Sequence, residues 1–191
     1  EEIKAISAVA RKHNLYLHMD GSRISNAAVS LGRDFASFTR DAGVDVLSFG
    51  GTKNGMMFGE AVIFFRPELA QYFKYIRKQG MQLHSKMRFI AAQFEALLSN
   101  DLWKRNATHA NRMAKLLAEE LKKIPAVKLT QQVDANGIFA TMPPAIIPEL
   151  QKENYFYIWT DKTSEVRLMC SYDTTEDDVK NFTRKLGELS R

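Results

Sequence analysis

The chain has 191 residues, 45% of them hydrophobic, 10% aromatic and 26% charged. This is globular composition, which excludes a disordered or collagen-like chain and leaves room for an ample core. The 27 lysines and arginines exceed the 22 acidic residues by five, but the excess is spread along the chain and argues little for a nucleic-acid or membrane partner.

Glu1 to Asn14 reads as a helix already under way, with Ile3, Ile6 and Val9 on one side. A chain that starts inside a helix reads as the later part of something longer. Leu15 to Met19 follows as a short buried strand, and Ser22 to Leu31 as a helix stopped by Gly32. Phe35 to Arg40 suits another short helix. Val44 to Phe49 is β-branched and apolar, a second strand. After the glycine-rich run 50–55, Glu60 to Phe65 makes a third. Pro67 suits a first helical turn, so Pro67 to Lys78 is expected to be helical.

From about Ser85 two long helical stretches run to Lys123, joined near Ser99-Asn100-Asp101. Their apolar stripes (Met87, Ile90, Ala91, Phe94 and Leu97, then Met113, Leu116, Leu117 and Leu121) have the spacing of core or interface packing. Beyond Pro125, strands are expected at Val127–Gln132, Ile138–Thr141, Phe156–Thr160 and Val166–Cys170. Helices are expected at Pro143–Asn154 and Thr174–Leu189, the last opened by a capping box of Thr175 and Asp178. The expected organisation is α/β: residues 1–80 as the end of an α/β sheet unit, 81–124 as connecting helices, and 125–191 as a small α+β domain. No apolar run reaches the roughly 18–20 residues of a membrane span, and no secretory signal opens the chain. The one cysteine, Cys170, precludes an intramolecular disulfide and fits a reducing, cytoplasmic setting.

Three constellations carry chemistry. His18-Met19-Asp20-Gly21-Ser22-Arg23 ends a strand and opens a helix, where ligands of open α/β sheets bind. Asp20 there suits a ligand cation, and Arg23 suits a carboxylate or phosphate. Taken alone, Asp20 reads as readily as a helix cap. An alternating strand is expected to turn His18 away from Asp20 and into packing. The second constellation is Ser48-Phe49-Gly50-Gly51-Thr52-Lys53-Asn54-Gly55. Its glycines let backbone approach a ligand, Ser48 and Thr52 offer hydroxyls, and Lys53 is an amine that can become a nucleophile toward carbonyls. The spacing is not that of a phosphate loop, because Asn54 follows the lysine. A plain glycine-rich turn with an exposed lysine is the alternative. The third is Arg167 within Glu165–Met169, either facing a cleft or making a cross-strand ion pair. No His/Cys/Asp cluster has metal-site spacing, so no metal is expected.

An acid after one strand, a lysine after the next and a late arginine match the needs of a pyridoxal-phosphate enzyme, which uses a lysine Schiff base and an aspartate at the pyridinium nitrogen. HMDGSR, DVLSFGGTKNG followed by GEAVIFF, RKQGMQLHSKMRFIAAQ and EVRLMCSYDTTEDDV together resemble the threonine aldolase and β-eliminating lyase family, in order and over nearly the whole chain.

The resemblance implies fold type I, with residues 1–80 as part of its large mixed-sheet domain, and pyridoxal 5'-phosphate held covalently on Lys53. It implies that Asp20 pairs with the ring nitrogen, with Ser48 and Thr52 as further cofactor neighbours. Arg23 and Arg167 would hold the carboxylate of a small β-hydroxy amino acid, which is cleaved to glycine and an aldehyde. For threonine or allo-threonine the aldehyde is acetaldehyde. The family's phosphate-binding turn and ring-stacking histidine are expected outside this stretch, so the chain is expected to be a C-terminal portion, inactive or nearly so in isolation, from a homodimer or homotetramer. The same residues would serve β-elimination or hydroxymethyl transfer. A colourless non-catalytic remnant is a third possibility, and a nucleic-acid module, without any RNP-type aromatic motif, a fourth.

Overall fold

A computed structural model describes residues 1–190. It divides into two compact units, Glu1–Lys104 and Arg105–Arg191, with the division falling inside one long helix.

The first unit opens with α1 (Glu2–Lys12) and the short strand β1 (His18–Gly21). Residues 15–17, expected to be strand, precede the ladder. Asn14 turns the chain with a φ of 54°, and the Leu15 amide still bonds back to Ala10 at 2.8 Å. The Leu17 amide donates to the Asp45 carboxylate at 2.7 Å instead of to a strand. α2 (Ile24–Leu31) ends at Gly32, and α3 (Phe35–Phe38) is capped by Asp34, which accepts from the Ser37 amide. β2 (Val46–Gly50) pairs parallel with β1 and antiparallel with β3 (Glu60–Phe64), giving a three-stranded mixed sheet in the order β1-β2-β3. Alternation gives this sheet one packed face. Met19, Leu47, Phe49 and Ala61 meet Ile24 of α2 and Phe35 and Phe38 of α3.

The expected helix at 67–78 is interrupted. Pro67–Ala70 is a 3-10 turn, and α4 (Phe73–Gln79) begins after it. α5 (Met87–Leu98) buries Ile90 and Leu97 against Met56, with Met87 and Phe94 beside them. α6 (Leu102–Leu121) then carries the chain into the second unit.

There a four-stranded antiparallel sheet in the order β4-β5-β7-β6 forms from β4 (Lys128–Leu129), β5 (Gly137–Thr141), β6 (Tyr157–Thr160) and β7 (Glu165–Met169). The expected helix at 143–154 is a 3-10 turn followed by α7 (Ile147–Gln151). α8 (Glu176–Leu189) closes the unit. Ile138, Ala140, Val166 and Leu168 point to one face and pack on Met113, Leu117 and Leu121 of α6 and on Val179, Phe182 and Leu186 of α8. The opposite face carries Phe139 and Arg167, because successive strand residues alternate sides. Cys170 lies in this core, and burial pushes its thiol up to about 12, which removes the reactive thiolate.

The capping box is present: Thr175 accepts from the Asp178 amide at 3.1 Å, and Asp178 accepts from the Thr175 amide at 2.8 Å. Thr175→Ala is expected to lower unfolding free energy by about 1 kcal/mol, the usual loss of an N-cap, in urea titration at neutral pH. Thr175→Asp should restore most of it.

Candidate functional site

The face of the first sheet opposite Ile24, Phe35 and Phe38 carries the polar constellation, beside Phe64, which meets Phe73 of α4 at 5.0 Å. His18 and Asp20 lie two residues apart on β1 and therefore share that face. This corrects the expectation that His18 turns away into packing. It is exposed, and its Nε2 lies 2.9 Å from Ser48 Oγ. Ser48 is the register partner of Asp20 across the parallel pair, so His18, Ser48 and Asp20 form one polar patch that runs along β1 and β2 toward their carboxyl ends.

Asp20 does not cap α2, whose N-cap position is Arg23. Its Oδ1 accepts instead from the Ser22 amide at 2.9 Å and the Ser22 hydroxyl at 2.6 Å, a tight turn within the motif. Those two bonds hold Asp20 below the usual carboxylate range against a small opposing effect of burial. The positive charge of Lys53 and the nearby His18 act in the same direction. Asp20 is thus a committed anion with Lys53 in its field. Gly21 is required next to it: a Cβ there would stand 2.7 Å from both Leu47 Cδ1 and the Ser48 carbonyl oxygen. Arg23 is half-buried at the start of α2, three residues from Asp20.

Lys53 sits in the 3-10 turn Thr52–Asn54, exposed, on a loop that is fixed at several points. Thr52 Oγ1 accepts from the Gly59 amide at 2.9 Å, and the Gly51 amide donates to the Gly59 carbonyl at 3.1 Å. The buried Asn54 donates its Nδ2–H to the Trp103 carbonyl at 3.1 Å. The lysine therefore projects from a rigid turn between two strand ends.

Glu60 completes the group and was not singled out from the sequence. It is the register partner of Gly50, and its Oε2 lies 2.9 Å from where a Gly50 side chain would stand. Burial pushes its carboxyl up, and the Asp20 charge adds to this, while the Thr52 hydroxyl and Lys53 pull it down; the net shift is upward. The available signal was its position: the first residue of a strand directly after a glycine-rich loop, opposite a glycine.

Asp20, Arg23, Thr52 and Lys53 lie near the carboxyl ends of β1 and β2 or in the segments leaving them, and Ser48 lies in the middle of β2 beside Asp20. Arg167 belongs to the second unit, in the middle of β7, where it lies against aromatic rings and makes none of the ion pairs found among the described residues.

A mixed sheet with lysine and aspartate at its strand ends, followed by a small antiparallel α+β unit, is the fold of the fold type I pyridoxal-phosphate enzymes. A threonine aldolase structure from Leishmania major superposes with a TM-score of 0.86 at 30% identity, covering 100% of this chain and 56% of that one. The family model for beta-eliminating lyases matches residues 1–143, and the chain belongs to that family. A low specificity L-threonine aldolase of Pseudomonas aeruginosa is 46% identical over 186 residues, covering 97% of this chain and 54% of the relative. Low-specificity L-threonine aldolase 1 of Arabidopsis thaliana is 28% identical over 190 residues, covering 94% and 51%. The chain spans about half the length of the curated relatives it matches.

Proposed function

We propose that this chain is the lysine-bearing portion of a pyridoxal-phosphate-dependent aldehyde-lyase that cleaves L-threonine and L-allo-threonine to glycine and acetaldehyde. One observation carries the reading: an exposed lysine on a rigid turn, in the field of an aspartate held anionic at the neighbouring strand end. Those are the two protein groups that pyridoxal phosphate needs, an amine for its aldehyde and a carboxylate for its ring nitrogen.

In this reading Lys53 Nζ is the covalent attachment point. Asp20, kept ionised by Ser22, accepts the proton-bearing ring nitrogen, and His18, fixed by Ser48, borders the same patch. Thr52 and Ser48 are cofactor neighbours; Arg23 and Arg167 bind the substrate carboxylate through their planar N–H edges. Bound there, pyridoxal phosphate supplies a ring that takes up the electron pair left when the Cα–Cβ bond breaks. Fixing the carboxylate decides which Cα bond is presented for cleavage. A homodimer or homotetramer is part of the same proposal, supported by the exposed Tyr72, Tyr75, Ile76, Met81 and Phe89.

The test uses the full-length enzyme loaded with pyridoxal phosphate. Borohydride reduction and peptide mapping are expected to place the label on Lys53, and L-threonine is expected to give glycine and acetaldehyde. An oxo acid with ammonia would instead identify a β-eliminating activity and overturn the aldolase assignment. Asp20→Asn is expected to lower kcat by roughly 10²-fold or more, the scale of losing one preorganised electrostatic contact, with the label on Lys53 retained. A kcat within about twofold of the parent, against that scale, rejects the role given to Asp20.

A further inference from the structure

Arg167 lies in the middle of β7, opposite Phe139 on β5 and Tyr157 on β6. Its guanidinium carbon is 5.4 Å from the ring centroid of Tyr157 and 5.0 Å from that of Trp159. These rings are themselves braced. Phe139 meets Trp159 edge-on at 5.3 Å, and Tyr155 meets Tyr157 edge-on at 5.3 Å.

The acid that shares this face of β7, Glu165, is engaged elsewhere. It accepts from the Thr130 hydroxyl at 2.5 Å and from the Thr160 hydroxyl at 3.4 Å. No carboxylate among the described residues neutralises Arg167, and its Nε is buried without a hydrogen-bond partner. A buried guanidinium N–H with no acceptor is costly in a folded protein, and the terminal nitrogens of Arg167, which are not closed off in this way, are the ones an arriving acceptor would meet.

Aromatic rings stabilise a guanidinium through its faces and leave its in-plane N–H edge open. They also limit the rotation of a long side chain whose freedom would otherwise be lost on binding. A guanidinium held against rings, with no counter-ion among the described residues, suits a planar carboxylate, which takes two parallel N–H bonds.

We propose that Tyr157 and Trp159 are positioning residues for the substrate carboxylate: they hold the guanidinium plane of Arg167 so that its N–H edge receives the amino acid. This rests on the reading of Arg167 as a carboxylate-binding residue. The rings act through Arg167, and Arg23 holds the same carboxylate, so the bond presented for cleavage is kept and the loss falls on substrate affinity.

The experiment compares Trp159→Ala, Trp159→Phe, Tyr157→Ala and Arg167→Lys in the full-length holoenzyme. Trp159→Ala and Tyr157→Ala are each expected to raise KM for L-threonine by about tenfold with kcat within about twofold, and Trp159→Phe to return KM to within about twofold of the parent. A second readout needs no turnover: glycine titration should shift Trp159 emission in the parent, and the Trp159 part of that shift, read as the parent-minus-variant difference spectrum, should be missing in Trp159→Phe, which keeps Trp103. If Arg167→Lys raises KM while both alanine variants leave it unchanged, the positioning role is overturned and the carboxylate reading survives. If Arg167→Lys leaves KM unchanged, the carboxylate reading falls and takes the positioning role with it. Should either alanine variant fold poorly, the parent titration still decides, because an emission insensitive to saturating glycine contradicts a ring held against the binding guanidinium.

Discussion

Lys53→Ala is expected to abolish covalent cofactor attachment in the full-length enzyme and to lower threonine cleavage by at least about 10³-fold, because no other amine in that turn can replace the attachment point. The expectation comes from geometry. The turn Thr52–Asn54 is held by Thr52 on the Gly59 amide and by Asn54 on the Trp103 carbonyl, so the lysine's position does not depend on its own side chain. The same geometry makes the substitution structurally mild. Lys53 is exposed, and exposed substitutions away from caps and cores usually change stability by no more than about 0.5 kcal/mol. Activity and visible absorbance should therefore vanish while the urea midpoint stays in place. Lys53→Arg keeps the charge but offers no comparable nucleophile, so it should be equally inactive. Retention of a tenth of the activity by Lys53→Ala would falsify the assignment, as would a borohydride label on another lysine.

The largest stability effect is expected at Asp45, a residue 1% exposed. Its carboxylate accepts from Arg11 Nη2 at 2.7 Å, Arg11 Nη1 at 2.9 Å and the Leu17 amide at 2.7 Å, with Arg66 Nη1 at 3.8 Å. One carboxylate thus joins α1, the lead-in to β1, the start of β2 and the end of β3. Breaking a buried pair costs about 3–5 kcal/mol, but the Arg11 side chain is 41% exposed and water can reach it once the acid is gone. Asp45→Ala is accordingly expected to lower unfolding free energy by about 2–3 kcal/mol at neutral pH, below that range.

The pH dependence has a definite sign. Burial alone would push the Asp45 carboxyl up; the Arg11 and Leu17 hydrogen bonds and the charges of Arg11 and Arg66 outweigh it, and the net position is below the ordinary 3.8. A carboxyl lowered in the folded state adds stability that is complete above 3.8 and is lost as pH falls through the lower folded value. Asp45→Asn should remove this contribution, so parent and variant should differ most above pH 4 and converge in strong acid. Equal stability of parent and Asp45→Ala at neutral pH, in urea titrations, would show that the pair does not hold the unit together.

Local patterns along the chain carried a large part of the fold. The β-branched run before the glycines is β2, the glycine-bounded helix ends at Gly32, and Thr175 and Asp178 form their capping box. Each depends on neighbours within a few residues, which a sequence displays directly. The element ends were less legible. The strand expected from Leu15 starts at His18, because Leu17 is claimed by a carboxylate 28 residues away. The helix expected from Pro67 starts as a 3-10 turn and resumes at Phe73.

The candidate site shows the same division. Asp20, Ser48, Thr52 and Lys53 were legible because strand ends followed by glycines mark where a sheet presents groups to a ligand. The period of two also put His18 beside Asp20, and that pattern was misread. Glu60 was not legible, because its approach depends on β3 pairing antiparallel with β2 and on Gly50 leaving room.

The sequence by itself determined that an aspartate and a lysine follow successive strands, the family and the alternation of α and β, because these rest on residue identity and short-range periodicity. Only the tertiary structure decided how each side chain is neutralised. It showed that Arg11 reaches a buried acid 34 residues away, that Glu165 turns to threonines, and that Arg167 is left with aromatic rings and no counter-ion among the described residues. Coulomb and ring contacts act between groups brought near in space, and strand pairing sets that nearness across separations that no local pattern records.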